Sequence, residues 1–178
     1  MRRIGITGGI GSGKSVVSRL LRIMGYSVYD TDSEAKRLME SSLEVVQKLS
    51  ECFGRDIYHN GRLNRGLLSS RVFGESDKIV LLNSIVHPVV RFDFYRWSES
   101  LNEEICFVES AILYESRFDE LVDEVWTVTA PEELRISRVR QRSGLTEEEI
   151  KKRMAAQLSE EEKQRRAAHI IWNDGNVS

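Results

Sequence analysis

Gly8-Gly9-Ile10-Gly11-Ser12-Gly13-Lys14-Ser15 lies between a short apolar run, Ile4-Gly5-Ile6-Thr7, and an apolar-periodic segment, Val16, Val17, Leu20, Leu21 and Met24. It fits Gly-x-x-x-x-Gly-Lys-Ser, a phosphate-binding loop set between a strand and a helix. Its glycines let the backbone curl with N–H groups turned inward, a nest suited to polyphosphate oxygens. The N-terminus of the next helix adds partial positive charge at the same place. Lys14 then reaches the β and γ phosphates, and the Ser15 hydroxyl ligands Mg²⁺. The competing reading is a Gly-rich turn with a surface lysine, but the flanking strand and helix favour a nucleoside triphosphate site.

The chain has 178 residues, enough for one domain with a sizeable core and a small inserted lobe. With 40% apolar and 30% charged residues it has the make-up of an ordinary globular protein. A net charge of −2 gives no global attraction to nucleic acid or an acidic membrane surface, so neither partner is expected. No apolar run is long enough for a membrane span, and the basic start Met1-Arg2-Arg3 leads into a glycine-rich stretch cut short by Lys14, unlike a signal peptide. Cys52 and Cys106 show no Cys-x-x-Cys spacing, which fits a reducing cytoplasm with neither disulfide nor zinc site.

Outward from the loop, residues 3–7 read as a buried parallel strand and 14–24 as a helix closed by Gly25. A second strand at 26–29 runs into Asp30-Thr31-Asp32, followed by helices over 33–40 and 43–53. Asn60-Gly61 is a turn signal, making 57–63 a small hairpin or an irregular loop. From 64 to about 100 the pattern is helical, and His87-Pro88 predicts a break with Pro88 in the first turn of a second helix. Strands follow at 105–109, 124–129 and 169–172. The helices between them include one capped by Thr146 with Glu149, running to about Leu158, and one capped by Ser159 with Glu162. This alternation predicts a three-layer α/β/α fold with a parallel sheet of about five strands and a helical insertion at about 33–100.

Ligands of such sheets lie beyond the carboxyl ends of the strands, where Asp30, Asp32 and Glu109 fall. A carboxylate there accepts a proton from an attacking hydroxyl or holds Mg²⁺ through water. Asp32 is divided between that role and capping the next helix, for which Thr31 and Glu34 have the right spacing. Glu109 stands where a metal-associated acid is usual, or is a solvated strand-end acid. Arg138 and Arg142 share a helix face with Arg135 just above, and Ser143-Gly144 offers a hinge. This face either closes over the triphosphate as a lid, at about 135–157, or is simply solvated. His87 beside Pro88 reads as structural.

The phosphate loop alone leaves several enzyme classes open. No Asn-Lys-x-Asp is present to read guanine, and no apolar run ends in Asp-Glu as in a transport or helicase ATPase. A short chain with a helical insertion and an arginine-bearing lid suits a small-molecule kinase. The chain resembles the dephospho-coenzyme A kinase family in an ordered set of pieces along nearly its whole length. They are Gly5 to Ser15, Asp30-Thr31-Asp32, His87-Pro88, Leu113-Tyr114-Glu115, Arg138 with Arg142, Arg153 with Ala156-Gln157, and Asn173-Asp174-Gly175.

The resemblance implies a P-loop kinase that uses ATP and Mg²⁺ to phosphorylate the ribose 3′-hydroxyl of dephospho-coenzyme A. It makes Asp32 the base or orienter of that hydroxyl, Lys14 the neutraliser of the phosphates and Ser15 the Mg²⁺ ligand. Arg138 and Arg142 act from the lid, and the loop from Gly8, Gly9, Gly11, Ser12 and Gly13 to Val16 holds the nucleotide. Asn173 and Gly175 lie near adenine, while His87, Glu109 and the insertion serve the acceptor. The chain departs from the family pattern at Val16, usually Thr, at Glu109-Ser110-Ala111, usually Asp-x-Pro, and at His169, where Asp is common. It stops at Ser178, where the family usually continues into a final helix. The remaining readings are a nucleoside or nucleotide kinase and an ATP-binding regulator without turnover.

Overall fold

Five short apolar runs become the strands of one parallel sheet in the computed structural model, which describes residues 1–175. In chain order the elements are β1 (Arg2–Thr7), α1 (Lys14–Ile23), β2 (Ser27–Asp30), α2 (Thr31–Ser41), α3 (Leu43–Phe53), β3 (Tyr58–His59), β4 (Arg62–Leu63), α4 (Arg65–Val72) and α5 (Ser76–Ser100). There follow β5 (Ile105–Glu109), β6 (Glu124–Thr129), α6 (Glu132–Ser143), α7 (Glu147–Ala155), α8 (Glu160–Arg166) and β7 (His169–Trp172). Two compact units result, one of Met1–Asp30 with the chain from Ser100 onward, the other of Thr31–Glu99.

In the first unit the strand order is β2-β5-β1-β6-β7. The connection from β1 to β2 through α1 and the one from β6 to β7 through α6 to α8 step across the sheet in opposite directions. Right-handed crossovers therefore put their helices on opposite faces, which gives the expected three layers. β1 is central and buries its last four residues, as a strand covered on both sides must. Ile4, Ile6, Leu21, Phe107 and Val128 form the core around it. Only Ser18 and Leu21 of α1 are buried, while Val16, Leu20 and Met24 stay exposed. The periodicity located the helix, but packing on a sheet covers only the narrow stripe through Val17 and Leu21.

In the second unit Val45, Leu49 and Phe53 of α3 are buried, as are Ile57 just before the hairpin of β3 and β4 and Leu63 within β4. Asn60 (φ 50°) and Gly61 (φ 75°) give that hairpin the two left-handed residues of a type I′ turn. Two expectations fail here. Helix α5 runs unbroken through Pro88, and the interruption lies instead at 73–75, where Gly74 has φ 78°. The missing proline N–H deprives the Ser84 carbonyl of its helical partner. Burial of Ile85, Val86, Val90 and Phe94 along one side of α5 outweighs that loss. Helix α2 also begins at Thr31 and not at Ser33, which places Asp32 in its first turn.

Thr146 and Glu149 form the complete reciprocal capping box of α7. Ser159 Oγ accepts from the Glu162 N–H at 3.2 Å, but the Glu162 carboxylate turns to Arg165 and leaves the second box half made. Helix α7 stops at Ala155, short of Leu158, whose N–H donates to Glu115 Oε1 at 2.6 Å. Among the described residues, no helix is long and apolar enough to cross a membrane.

Candidate active site

The phosphate loop springs from the carboxyl end of the central strand, between β5 and β6. Ser12 N–H donates to the Gly9 carbonyl at 3.1 Å, and Gly13, left-handed at φ 99°, opens α1 at the N-cap. α1 has neither a side-chain cap nor an acid in its first turn. Its positive end is therefore suited to an anion. Lys14 is half-buried, Ser15 and Val16 are exposed, and Ser12 is wholly buried.

Close approaches crowd four glycines of this loop, Gly8, Gly9, Gly11 and Gly13, and two of them bear on its ends. A Cβ on Gly8, at φ 144°, would stand 2.1 Å from the Val128 carbonyl oxygen. One on Gly13 would stand 2.0 Å from Asn173 Nδ2. Asn173, just past β7, donates from Nδ2 to the Ser12 carbonyl at 2.9 Å, while its own N–H is held by the Thr129 carbonyl at 2.8 Å. Arg138 Nη2 lies 3.5 Å from Asn173 Oδ1. Its other terminal nitrogen, Nη1, is buried and makes no hydrogen bond. The unit thus gathers Gly8 to Lys14, Arg138 and Asn173 at one end of the sheet.

Asp30 and Glu109 are register partners at the ends of β2 and β5, and Glu109 also pairs with Ile6. Both half-buried carboxylates therefore stand on the strand row that leads into the loop. Arg142 is exposed one turn beyond Arg138, and Gly144 ends α6 in the left-handed conformation at φ 66°. Gly175 is exposed with φ 89°. Asp32, exposed in the first turn of α2, and half-buried His87 on α5 belong to the second unit. Burial, helped by nearby Arg91, lowers the His87 pKa and favours the neutral ring.

The sequence reading missed four residues of this corner. Arg135, expected on the lid face, is buried and ion-paired with Glu160 at 3.1 Å. Gln157 Oε1 accepts from the Ile10 N–H at 3.0 Å. Lys163 is fully buried, donates to the Ala111 carbonyl at 3.3 Å, and has its pKa lowered by burial. Gln157 left a trace in the sequence as part of a family piece, and Arg135 as a member of the lid face, but neither contact did. The other pairings join elements whose spacing carries no period.

The pattern of the family described as Dephospho-CoA kinase matches residues 2–178. The chain belongs to the dephospho-CoA kinase family. A Dephospho-CoA kinase of Porphyromonas gingivalis is 44% identical over 174 residues, covering 97% of this chain and 86% of the relative. A solved Thermus thermophilus structure superimposes with a TM-score of 0.84 at 38% identity, covering 98% of this chain and 90% of that one. The solved dephospho-CoA kinase of Campylobacter jejuni gives 0.73 at 25% identity, covering 99% and 90%. Membership makes this chain an enzyme, a P-loop kinase whose activity is ATP-dependent phosphorylation of dephospho-coenzyme A. The nucleotide-kinase and regulator alternatives are not favoured.

Proposed function

We propose that the 3′-hydroxyl of the ribose of dephospho-coenzyme A is the acceptor and that Asp32 is its base or orienter. The observation that supports this reading is the start of α2 at Thr31, immediately after β2, which places Asp32 as an exposed carboxylate in the first helical turn beyond that strand. It follows β2 at the sheet edge where ligands of such folds bind. The Asp32 carboxylate accepts the hydroxyl proton as the oxygen attacks the γ-phosphorus, and the bond to the β-phosphate oxygen of ADP breaks.

The loop from Gly8 to Val16 holds the triphosphate, with Lys14 neutralising the charge that spreads over the transferring group. A Mg²⁺ ion carried by the nucleotide fits this chain. Such an ion takes most of its oxygens from phosphates and water, so the exposed Ser15 hydroxyl suffices as a protein ligand. When bound, the ion supplies further neutralisation of phosphate charge. Among the described residues no group of three or more His, Cys, Asp or Glu is disposed as a separate metal site. In the lid expected at residues 135–157, Arg138 and Arg142 of α6 reach the transferring phosphoryl group, and Gly144 lets the α7 part move relative to α6. Asn173 and Gly175 border the adenine, and His87 and Glu109 hold the acceptor, with the second unit as its receptacle. Two free thiols, Cys52 and Cys106, support a cytoplasmic setting.

The test is Asp32→Asn. This reading expects kcat to fall by ~10²-fold or more with ATP affinity kept. Near wild-type turnover would remove Asp32 from the chemistry.

A further inference from the structure

The outer flank of the phosphate loop rests on Arg135, Gln157 and Glu160. A Cβ on Gly11 would stand 2.4 Å from the Arg135 carbonyl oxygen, and one on Gly9 would stand 2.3 Å from both Arg135 Nη1 and Glu160 Oε1. The two charged groups pair at 3.1 Å, with side chains only 8% and 14% exposed. Glu160 Oε2 accepts from Thr129 Oγ1 at 3.1 Å, and that hydroxyl in turn accepts from Gln164 Nε2 at 3.1 Å. Between the two glycines, the Ile10 N–H is held by Gln157 Oε1 at 3.0 Å. Loop residues 9 to 11 therefore lie against α6, the segment leading into α8 and the first residue of α8, with the Ile10 N–H directly hydrogen-bonded.

A buried ion pair is weak evidence for stability, because desolvation offsets most of its attraction. Its position against two glycines points elsewhere. A nest works only if its N–H groups converge, and a backbone displacement of about 1 Å at a reacting site costs up to ~10²-fold in rate. Glycines resist such displacement poorly, since they carry no side chain to anchor them. The anchors here come from outside the loop.

We propose that Glu160, acting through Arg135, and Gln157, acting through the Ile10 N–H, are positioning residues that hold the phosphate loop in its triphosphate-binding curvature. Their influence falls on the β and γ phosphates and not on the nucleoside. The inference rests on reading residues 8–15 as the triphosphate cradle, and is independent of the role of Asp32.

The experiment compares Glu160→Gln and Gln157→Ala with the wild type, each checked by circular dichroism and assayed well below its melting temperature. Titration calorimetry measures the Kd of ATP and of AMP, which lacks the β and γ phosphates. We expect the ATP Kd to rise about tenfold in each variant, as loss of one buried charged or polar partner implies, with the AMP Kd within about twofold of wild type. The KM for dephospho-coenzyme A should stay unchanged. Unchanged ATP affinity in the folded variants, or a parallel fall for ATP and AMP, would overturn the proposal. If Glu160→Gln does not fold, Gln157→Ala decides, since Gln157 is only half-buried. Wild-type protein binding AMP as tightly as ATP would instead defeat the cradle reading itself.

Discussion

Asn173 Nδ2 donates to the Ser12 carbonyl at 2.9 Å, tying the turn after the edge strand β7 to the phosphate loop that follows the central strand β1. Asn173→Asp replaces that donor with a carboxylate oxygen facing a carbonyl oxygen. Leaving the Ser12 carbonyl unpaired should cost about 1–3 kcal/mol of stability and weaken ATP binding. Urea unfolding with and without ATP measures both effects. An unchanged midpoint would show that the bond contributes nothing.

Gly8 and Gly61 both have positive φ, at 144° and 75°, but only Gly8 is crowded. Gly61→Ala meets no atom within 4 Å, so it should cost only the local backbone strain, about 1 kcal/mol, and leave activity intact. Gly8→Ala meets the Val128 carbonyl oxygen, which belongs to a strand of the sheet and has no flexible side chain to move aside. Activity should fall by ~10²-fold or more as the loop shifts. Comparable activity in the two variants would refute this contrast.

Pro88 lies inside a continuous helix and its side chain is exposed. Pro88→Ala restores an N–H to the Ser84 carbonyl at little packing cost. Stability should rise by about 1 kcal/mol, less than the full helix-interior penalty because proline also restricts the unfolded chain. A lower melting temperature for Pro88→Ala would contradict this.

His87 has its pKa lowered from 6.5, first by burial and then by Arg91. The unfolded chain therefore binds a proton at His87 at a higher pH than the folded one, so stability is lost as pH falls below about 6.5. The stability difference between wild type and His87→Gln should shift in favour of the variant between pH 7 and 5. Carboxylates titrate in both proteins and cancel in that difference. A pH-independent difference would exclude the effect.

Much of this architecture was legible because it is locally encoded. The I′ turn needed Asn60-Gly61, the α7 box needed Thr146 and Glu149 three apart, and the strand end at Glu109 followed from the unbroken apolar run Ile105 to Val108. Pro88 misled because a local helix-breaking rule lost to the burial of Val86, Val90 and Phe94, which no local rule weighs. Asp32 has two readings in the sequence because a capping acid and a first-turn acid differ by only one or two residues. Arg135, Glu160 and Lys163 were illegible for another reason. Each has the composition of a solvated helix face, and only tertiary packing buries it.

The proposed function turns on the acceptor and the atom phosphorylated on it. Incubating the protein with ATP, Mg²⁺ and dephospho-coenzyme A beside a panel of nucleosides and nucleotides tests this most directly, with products resolved by mass spectrometry and phosphorus NMR. Dephospho-coenzyme A should be turned over fastest and gain one phosphate on the ribose 3′-oxygen. Faster transfer to any other acceptor, or phosphate on another oxygen, would contradict this.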